Sequence, residues 1–282
     1  MTKPSNRRHL IEARDRAVSG VARARGKLNR PRRLPDFIVA GVQKGGTTFL
    51  FQEMLRHPDV RGSLTKEVHF FDLHFYNGLE WYRGMFPPVR GSEGTICGEA
   101  SPSYIFDPLA VGRIAEALAD PRLIIILRNP IDRAWSHYQH ERRLGFEPCS
   151  TFEEAISLED QRVGNDLDVR ALGHSTPSFA MGHFTYTRRG LYADQLRRAA
   201  ALVGRERLLV LFSEEMFEDP IGVTRAALDF VGARSAPISE SGPNDMSFHS
   251  EPMQPQTRKR LGALFADPNA DLAEFLGRPL PW

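Results

Sequence analysis

Phe37-Ile38-Val39-Ala40-Gly41-Val42-Gln43-Lys44-Gly45-Gly46-Thr47-Thr48 is the stretch on which the fold turns. Its first five residues are a short apolar run bounded by Pro35 and a glycine-rich turn, the signature of a strand buried on both faces. Thr48 to Arg56 continues with helical spacing and stops before Pro58. A strand, a glycine turn and a helix in that order bring backbone N–H groups and the positive helix end onto one point, where an anion is held. Gly45 and Gly46 let the backbone approach such an anion closely, and Thr47 and Thr48 add hydroxyl donors.

The same alternation runs outward from this turn. Thr95–Gly98, Arg122–Leu127 and Arg207–Phe212 read as strands. Pro108–Leu118, Pro130–Gly145, Leu191–Val203 and Pro220–Val231 read as helices. Strands alternating with helices predict an α/β domain with a central, mainly parallel sheet flanked by helices. Residues 146–190 are polar and irregular, suited to covering an edge or forming a lid.

The formal charge of +2 hides a split. Residues 1–35 hold eleven basic and two acidic side chains, and the remaining 247 hold 26 and 33. We read 1–35 as a basic arm, solvated or partly disordered with some helix, and 36–282 as the domain. The acidic body argues against a nucleic-acid partner. No apolar run reaches the roughly 18–20 residues that span a bilayer, and no secretory signal is visible, so a cytoplasmic protein is expected. Two cysteines, Cys97 and Cys149, exclude a disulfide framework or a Cys-rich zinc site. The Arg-rich composition suggests a bacterial, GC-rich source.

The glycine turn departs from the nucleotide-triphosphate loop Gly-x4-Gly-Lys-Ser/Thr, because Lys44 precedes the glycine pair. That moves the ammonium toward the near phosphate and its leaving bond. The strand Arg122–Leu127 runs into Arg128 and the strand Arg207–Phe212 into Ser213, so neither supplies an Asp for Mg²⁺. An anion site without a metal is the reading. On these residues, Gly41–Thr48 resembles the 5′-phosphosulfate loop of sulfotransferases that use 3′-phosphoadenosine 5′-phosphosulfate (PAPS). Leu127-Arg128-Asn129-Pro130 through Ser136 resembles that family's second signature. The resemblance implies a P-loop-type three-layer α/β fold, PAPS as sulfuryl donor and PAP as product. It implies that Arg128 and Ser136 bind the 3′-phosphate, and that Arg189, Gly190 and Tyr192 lie near the nucleotide. Lys66-Glu67-Val68-His69-Phe70-Phe71-Asp72 and the ending Gly277–Trp282 resemble the heparan-sulfate branch. Ala100, where animal heparan enzymes carry Lys, and Ser247–Pro252, which replaces a basic loop, depart from it.

The expected reaction is in-line transfer of the sulfuryl group to a hydroxyl of a glycan or small natural product. Lys44 then meets the charge growing on the departing phosphate, while Gly45, Gly46, Thr47 and Thr48 hold it. Glu67 is the expected base by resemblance, with His69 as base or orienting group. Lys66, Phe71 and Tyr104 join Glu67 and His69 on the acceptor side. Trp81, Tyr82 and Tyr104 fit either an aromatic wall or the core. Two other readings stay open on the residues: a P-loop kinase, and a non-catalytic binder of PAP or glycans.

Overall fold

The computed structural model describes residues 4–28, 31–91, 94–173, 178–238 and 253–282, the side chains of residues 4–14 excepted. Its centre is one sheet of five strands: β1 (Phe37–Gly41), β2 (Val60–Gly62), β3 (Ile96–Ala100), β4 (Arg122–Leu127) and β5 (Leu208–Phe212). Their spatial order is β2-β3-β1-β4-β5, and every pairing is parallel. Strand β1 is buried along its whole length. Period-2 alternation sends Ile38 and Ala40 to one face with Leu123, Ile125 and Leu127, and Phe37 and Val39 to the other with Ile124 and Ile126. Burial of each such side chain contributes about 1.5–3 kcal/mol.

Helices cover both faces. Ala110–Ala117 and Tyr192–Val203 pack on the first through Val111, Ile114, Leu196 and Ala199. Thr47–Leu55 and Pro220–Val231 pack on the second through Leu50, Met54, Ala227 and Leu228. This is the three-layer α/β fold that the alternation implies. Residues 146–190 are less irregular than expected: they fold into the short helices Phe152–Ser157, Glu159–Val163, Asp166–Ala171 and Phe179–His183. A third apolar cluster joins this region to the helices Pro130–Leu144 and Pro255–Leu276.

The basic arm forms the helix Pro4–Lys27 and lies against the helix Leu79–Gly84. Ala22 is completely buried there, and a Cβ on Gly84 would stand 2.0 Å from the Ala22 carbonyl oxygen. Trp81 Nε1 donates to Ser19 Oγ at 3.0 Å, and Arg23 donates to Asn77 Oδ1 at 2.8 Å. No helix among the described residues is long and apolar enough to cross a membrane.

Because all strands run the same way, their C-terminal ends share one edge. From β1 the chain runs to β2 and β3 on one side, then crosses to β4 and β5 on the other. A crevice opens at such a reversal, outside the strand ends.

Candidate active site

The loop after β1 is fastened from several directions. Val42 N donates to Ile126 O at 3.0 Å, and Ser213 Oγ donates to Gly45 O at 2.6 Å. Arg128 Nη1 donates to Lys44 O at 3.2 Å. Lys44 has φ 70° and Gly46 φ 95°. A Cβ on Gly45 would lie 2.4 Å from Ile126 O, and one on Gly46 2.3 Å from Met216 Cε. The first N–H groups of the helix Thr47–Leu55 receive no side-chain cap, which leaves them for an anion. Thr47 is buried and Thr48 exposed at this end.

Lys44 is half-buried. Burial, then Arg143 and Arg128, lower its pKa to about 8, against the pull of Glu141 and Glu67. The ammonium thus stands in a site already rich in positive charge, a state that an incoming anion relieves.

Arg128 follows β4 directly and meets the loop. Its carbonyl accepts the Tyr192 hydroxyl at 2.8 Å, and Asn129 caps the helix Pro130–Leu144 that carries Ser136. Tyr192 therefore supports Arg128 from behind. Gly190 serves close packing: a Cβ there would meet Pro130 Cβ and Phe265 Cε1, both at 2.9 Å. Arg189 departs from the expectation of a nucleotide grip. It is buried, with Nε on Thr185 Oγ1 at 2.8 Å, Nη2 on the Met181 carbonyl at 3.3 Å, and its guanidinium 4.4 Å over the Phe106 ring. With its donors turned inward, it is a strut between the helix Phe179–His183 and the body.

Across the crevice, the segment after β2 carries the residues expected on the acceptor side. Lys66 Nζ is 2.5 Å from Glu67 Oε1, and His69 Nε2 is 3.6 Å from Glu67 Oε2. His69 Nδ1 lies 2.9 Å from Asp72 Oδ2. The stretch is not extended, as a shared face for residues 67 and 69 would need. Glu67 has φ 61° and His69 φ 51°, so a left-handed turn brings the two together instead. Among the described residues, the non-glycine positions with positive φ are Lys44, Glu67 and His69. Such backbone is strained for residues with a Cβ and gathers at functional sites.

Burial lowers the proton affinity of His69, but Asp72 and Glu67 on its two nitrogens outweigh this and raise its pKa to about 10. Partial burial pushes the Glu67 carboxyl up, while the hydrogen bond from His69 and the charge of Lys66 hold it well below the usual carboxylate range. Asp72, 4% exposed, pairs with His69, a partnership that the sequence reading does not assign. Its i,i+3 spacing from His69 was the available signal.

Phe71 and Tyr104 belong to the core rather than to an acceptor wall, both being 0% exposed. Tyr82 and Trp81 are buried as well, Tyr82 stacking on Phe70 at 4.4 Å. These rings pack on one another within the core. Ala100 is buried at the end of β3. Ser247–Pro252 lies outside the described residues. Among the described residues, no group of three or more His, Cys, Asp or Glu is placed to hold a metal ion.

Comparison with known proteins fits this geometry. The family model described as "Sulfotransferase domain" matches residues 34–256. Heparan sulfate glucosamine 3-O-sulfotransferase 3A1 of Mus musculus is 32% identical over 203 residues, covering 72% of this chain and 47% of that protein. Heparan sulfate glucosamine 3-O-sulfotransferase 6 of Mus musculus is 34% identical over 204 residues, covering 72% and 54%. The chain thus spans about half the length of these curated relatives. A sulfotransferase of Alicyclobacillus acidocaldarius superposes with TM-score 0.72 at 30% identity, over 88% of this chain and 98% of that one. With the family model matching most of its length, this chain belongs to the sulfotransferase domain family.

Proposed function

We propose that this protein transfers a sulfuryl group from PAPS to a hydroxyl of an acceptor, carbohydrate or small molecule. One observation carries the reading. A half-buried lysine on an uncapped helix-end loop, an arginine bonded to that loop and a strained, ion-paired carboxylate all gather at the C-terminal edge of one parallel sheet. The residues present fit the donor. Gly45 and Gly46 let the loop pack tightly against Ile126 and Met216, where a Cβ would clash, and the helix N–H groups with Thr47 and Thr48 offer donors to a 5′-phosphate. Arg128, with Ser136 on the next helix, offers a fixed charge and a hydroxyl to a 3′-phosphate. PAPS supplies the activated sulfuryl group.

Lys44 stabilises the charge that develops on the departing phosphate oxygen. Glu67 takes the proton of the acceptor hydroxyl. His69 carries a proton at neutral pH, because its pKa is near 10, and so orients Glu67 rather than acting as base. Asp72 holds His69 in turn. The low proton affinity of Glu67 implies that transfer is late, or that the acceptor draws Lys66 away first. The acceptor class follows the relatives, whose names specify a glucosamine hydroxyl, but the uncharged Ala100 argues for a different acceptor contact here.

The test joins two measurements: PAP binding by calorimetry, and transfer of ³⁵S from PAPS to glycans and extracts of the host. Lys44→Ala should bind PAP and lose turnover by orders of magnitude. Unchanged turnover in that variant refutes the leaving-group role, and wild-type protein that neither binds PAP nor transfers label refutes the reaction.

A further inference from the structure

The acceptor-side turn is held from beneath by a buried carboxyl that the reaction does not touch. Glu99 lies on β3, 0% exposed, opposite Ile38 in the sheet register. Three hydroxyls converge on it: Tyr82 at 2.6 Å and Tyr104 at 3.1 Å on Oε1, and Ser101 at 2.7 Å on Oε2. Two of these hydroxyls also face the catalytic turn. Ser101 Oγ accepts from His69 N at 3.1 Å, and the Tyr104 oxygen accepts from Phe70 N at 2.8 Å. A third tie is backbone, from Glu67 N to Ala100 O at 2.9 Å.

This arrangement answers a question that the turn itself raises. Glu67 and His69 both sit in left-handed backbone, which costs on the order of 1–3 kcal/mol per residue and persists only where surroundings fix it. The ties from β3 and the residues after it end on Glu67, His69 and Phe70. Each hydroxyl that makes such a tie is itself anchored by Glu99, so its oxygen is free to accept while its proton is committed. Resting on the sulfotransferase reading above, we propose that Glu99 is a positioning residue for the transfer. Through Ser101 and Tyr104 it fixes the turn that sets the Glu67 carboxylate against the His69 imidazole. Burial raises the proton affinity of Glu99 and the three hydroxyls oppose that rise, as expected of a carboxyl used for its geometry.

The test removes the links while keeping the pivot. In Ser101→Ala/Tyr104→Phe, the ties to His69 N and Phe70 N are lost at small change in volume. Glu99→Gln is the conservative control: its amide still accepts from the tyrosines and can donate to Ser101 Oγ. Two readouts are needed. NMR titration of the His69 ring reads its pairing with Glu67 and Asp72 and requires no acceptor. Acceptor-dependent release of PAP reads turnover, with PAP binding measured alongside. The double variant should lower the His69 pKa by at least about one unit, a tenfold change in proton affinity. It should lower kcat roughly 10–100-fold, as expected for a misplaced base, with the dissociation constant for PAP within about twofold. Glu99→Gln should keep the His69 titration of the wild type. Glu99→Leu, which leaves all three hydroxyls without their acceptor, should instead lower the His69 pKa as the double variant does, and a wild-type titration there overturns the role of Glu99. A double variant with wild-type His69 titration overturns the proposal, as does one that loses PAP binding in parallel, since that marks general destabilisation. The ring titration reads the clamp whether or not sulfuryl transfer occurs, so failure of this inference and failure of the proposed reaction are separable.

Discussion

Binding of PAP should draw a proton from solvent, and the amount follows from Lys44. Its pKa is lowered to about 8 by burial and by Arg143 and Arg128. A phosphate beside an ammonium raises its pKa by about 1–3 units, and a rise of about 2 units or more keeps the ammonium at least about nine-tenths protonated in the complex through pH 9. With a free value near 8 and such a rise, uptake should be about 0.1 proton at pH 7, about 0.5 at pH 8 and about 0.8–0.9 at pH 9. The ligand does not confuse this count at the upper end, because the second ionisation of phosphate monoesters has a pKa near 6 and is essentially complete by about pH 8. Calorimetry in pairs of buffers with different ionisation heats measures the uptake directly at each pH. Lys44→Arg should bind PAP with no uptake, since a guanidinium keeps its charge throughout. Absence of uptake at pH 8–9 in the wild type, or equal uptake in Lys44→Arg, would refute the placement of this ammonium at the phosphate.

Other expectations rest on neighbouring residues. Arg128→Ala should weaken PAP binding by about 10–100-fold, the loss of one charge-assisted contact, whereas an unchanged dissociation constant removes Arg128 from the 3′-phosphate. Glu67→Gln should abolish transfer and leave PAP binding intact; retained activity there, with loss in His69→Ala, would move the base to His69. The raised pKa of His69 stabilises the fold fully below its ordinary value of 6.5, and that contribution fades as pH rises through about 10. Urea midpoints of the wild type should therefore approach those of His69→Gln across this window, and parallel curves contradict the pairing. Gly45→Ala forces a Cβ to 2.4 Å from the Ile126 carbonyl oxygen and should cost about 1–3 kcal/mol, read as a lowered Tm.

Much of the sheet was readable because its strands are buried on both faces. Arg122–Leu127 is a strand with the bounds that its apolar run announces, and Pro220–Val231 is a helix from its proline to the residue before its terminal glycine. Strand β2 escaped notice because Val-Arg-Gly has neither length nor alternation; its pairing with β3 creates it. The helix Pro255–Leu276 is interrupted in sequence by Gly262 and Pro268, yet tertiary burial of Leu261, Phe265 and Leu272 sustains it. At the site, Lys44, Glu67 and His69 were legible as residue types at spacings that resemble a family. Their left-handed backbone was not, since the positive φ depends on ties from residues far along the chain. Tyr104 was open between wall and core for a similar reason. An aromatic ring beside polar residues looks the same from sequence whether its hydroxyl meets a ligand or, as here, Glu99.

The fastening of the loop after β1 has a consequence for how the protein is made. Lys44 O is held by a residue 84 positions later, and Gly45 O by one 168 positions later. Strand β1 pairs with β3 and β4, not with β2, so its neighbours also emerge from the ribosome well after it. A nascent chain that ends before β5 has the glycine turn in its sequence but lacks the Ser213 tie that orders it. Such high contact order slows folding. It also makes the anion site a late product of synthesis: a ligand that recognises this loop binds the completed sheet alone, and in doing so favours it over every partly built form.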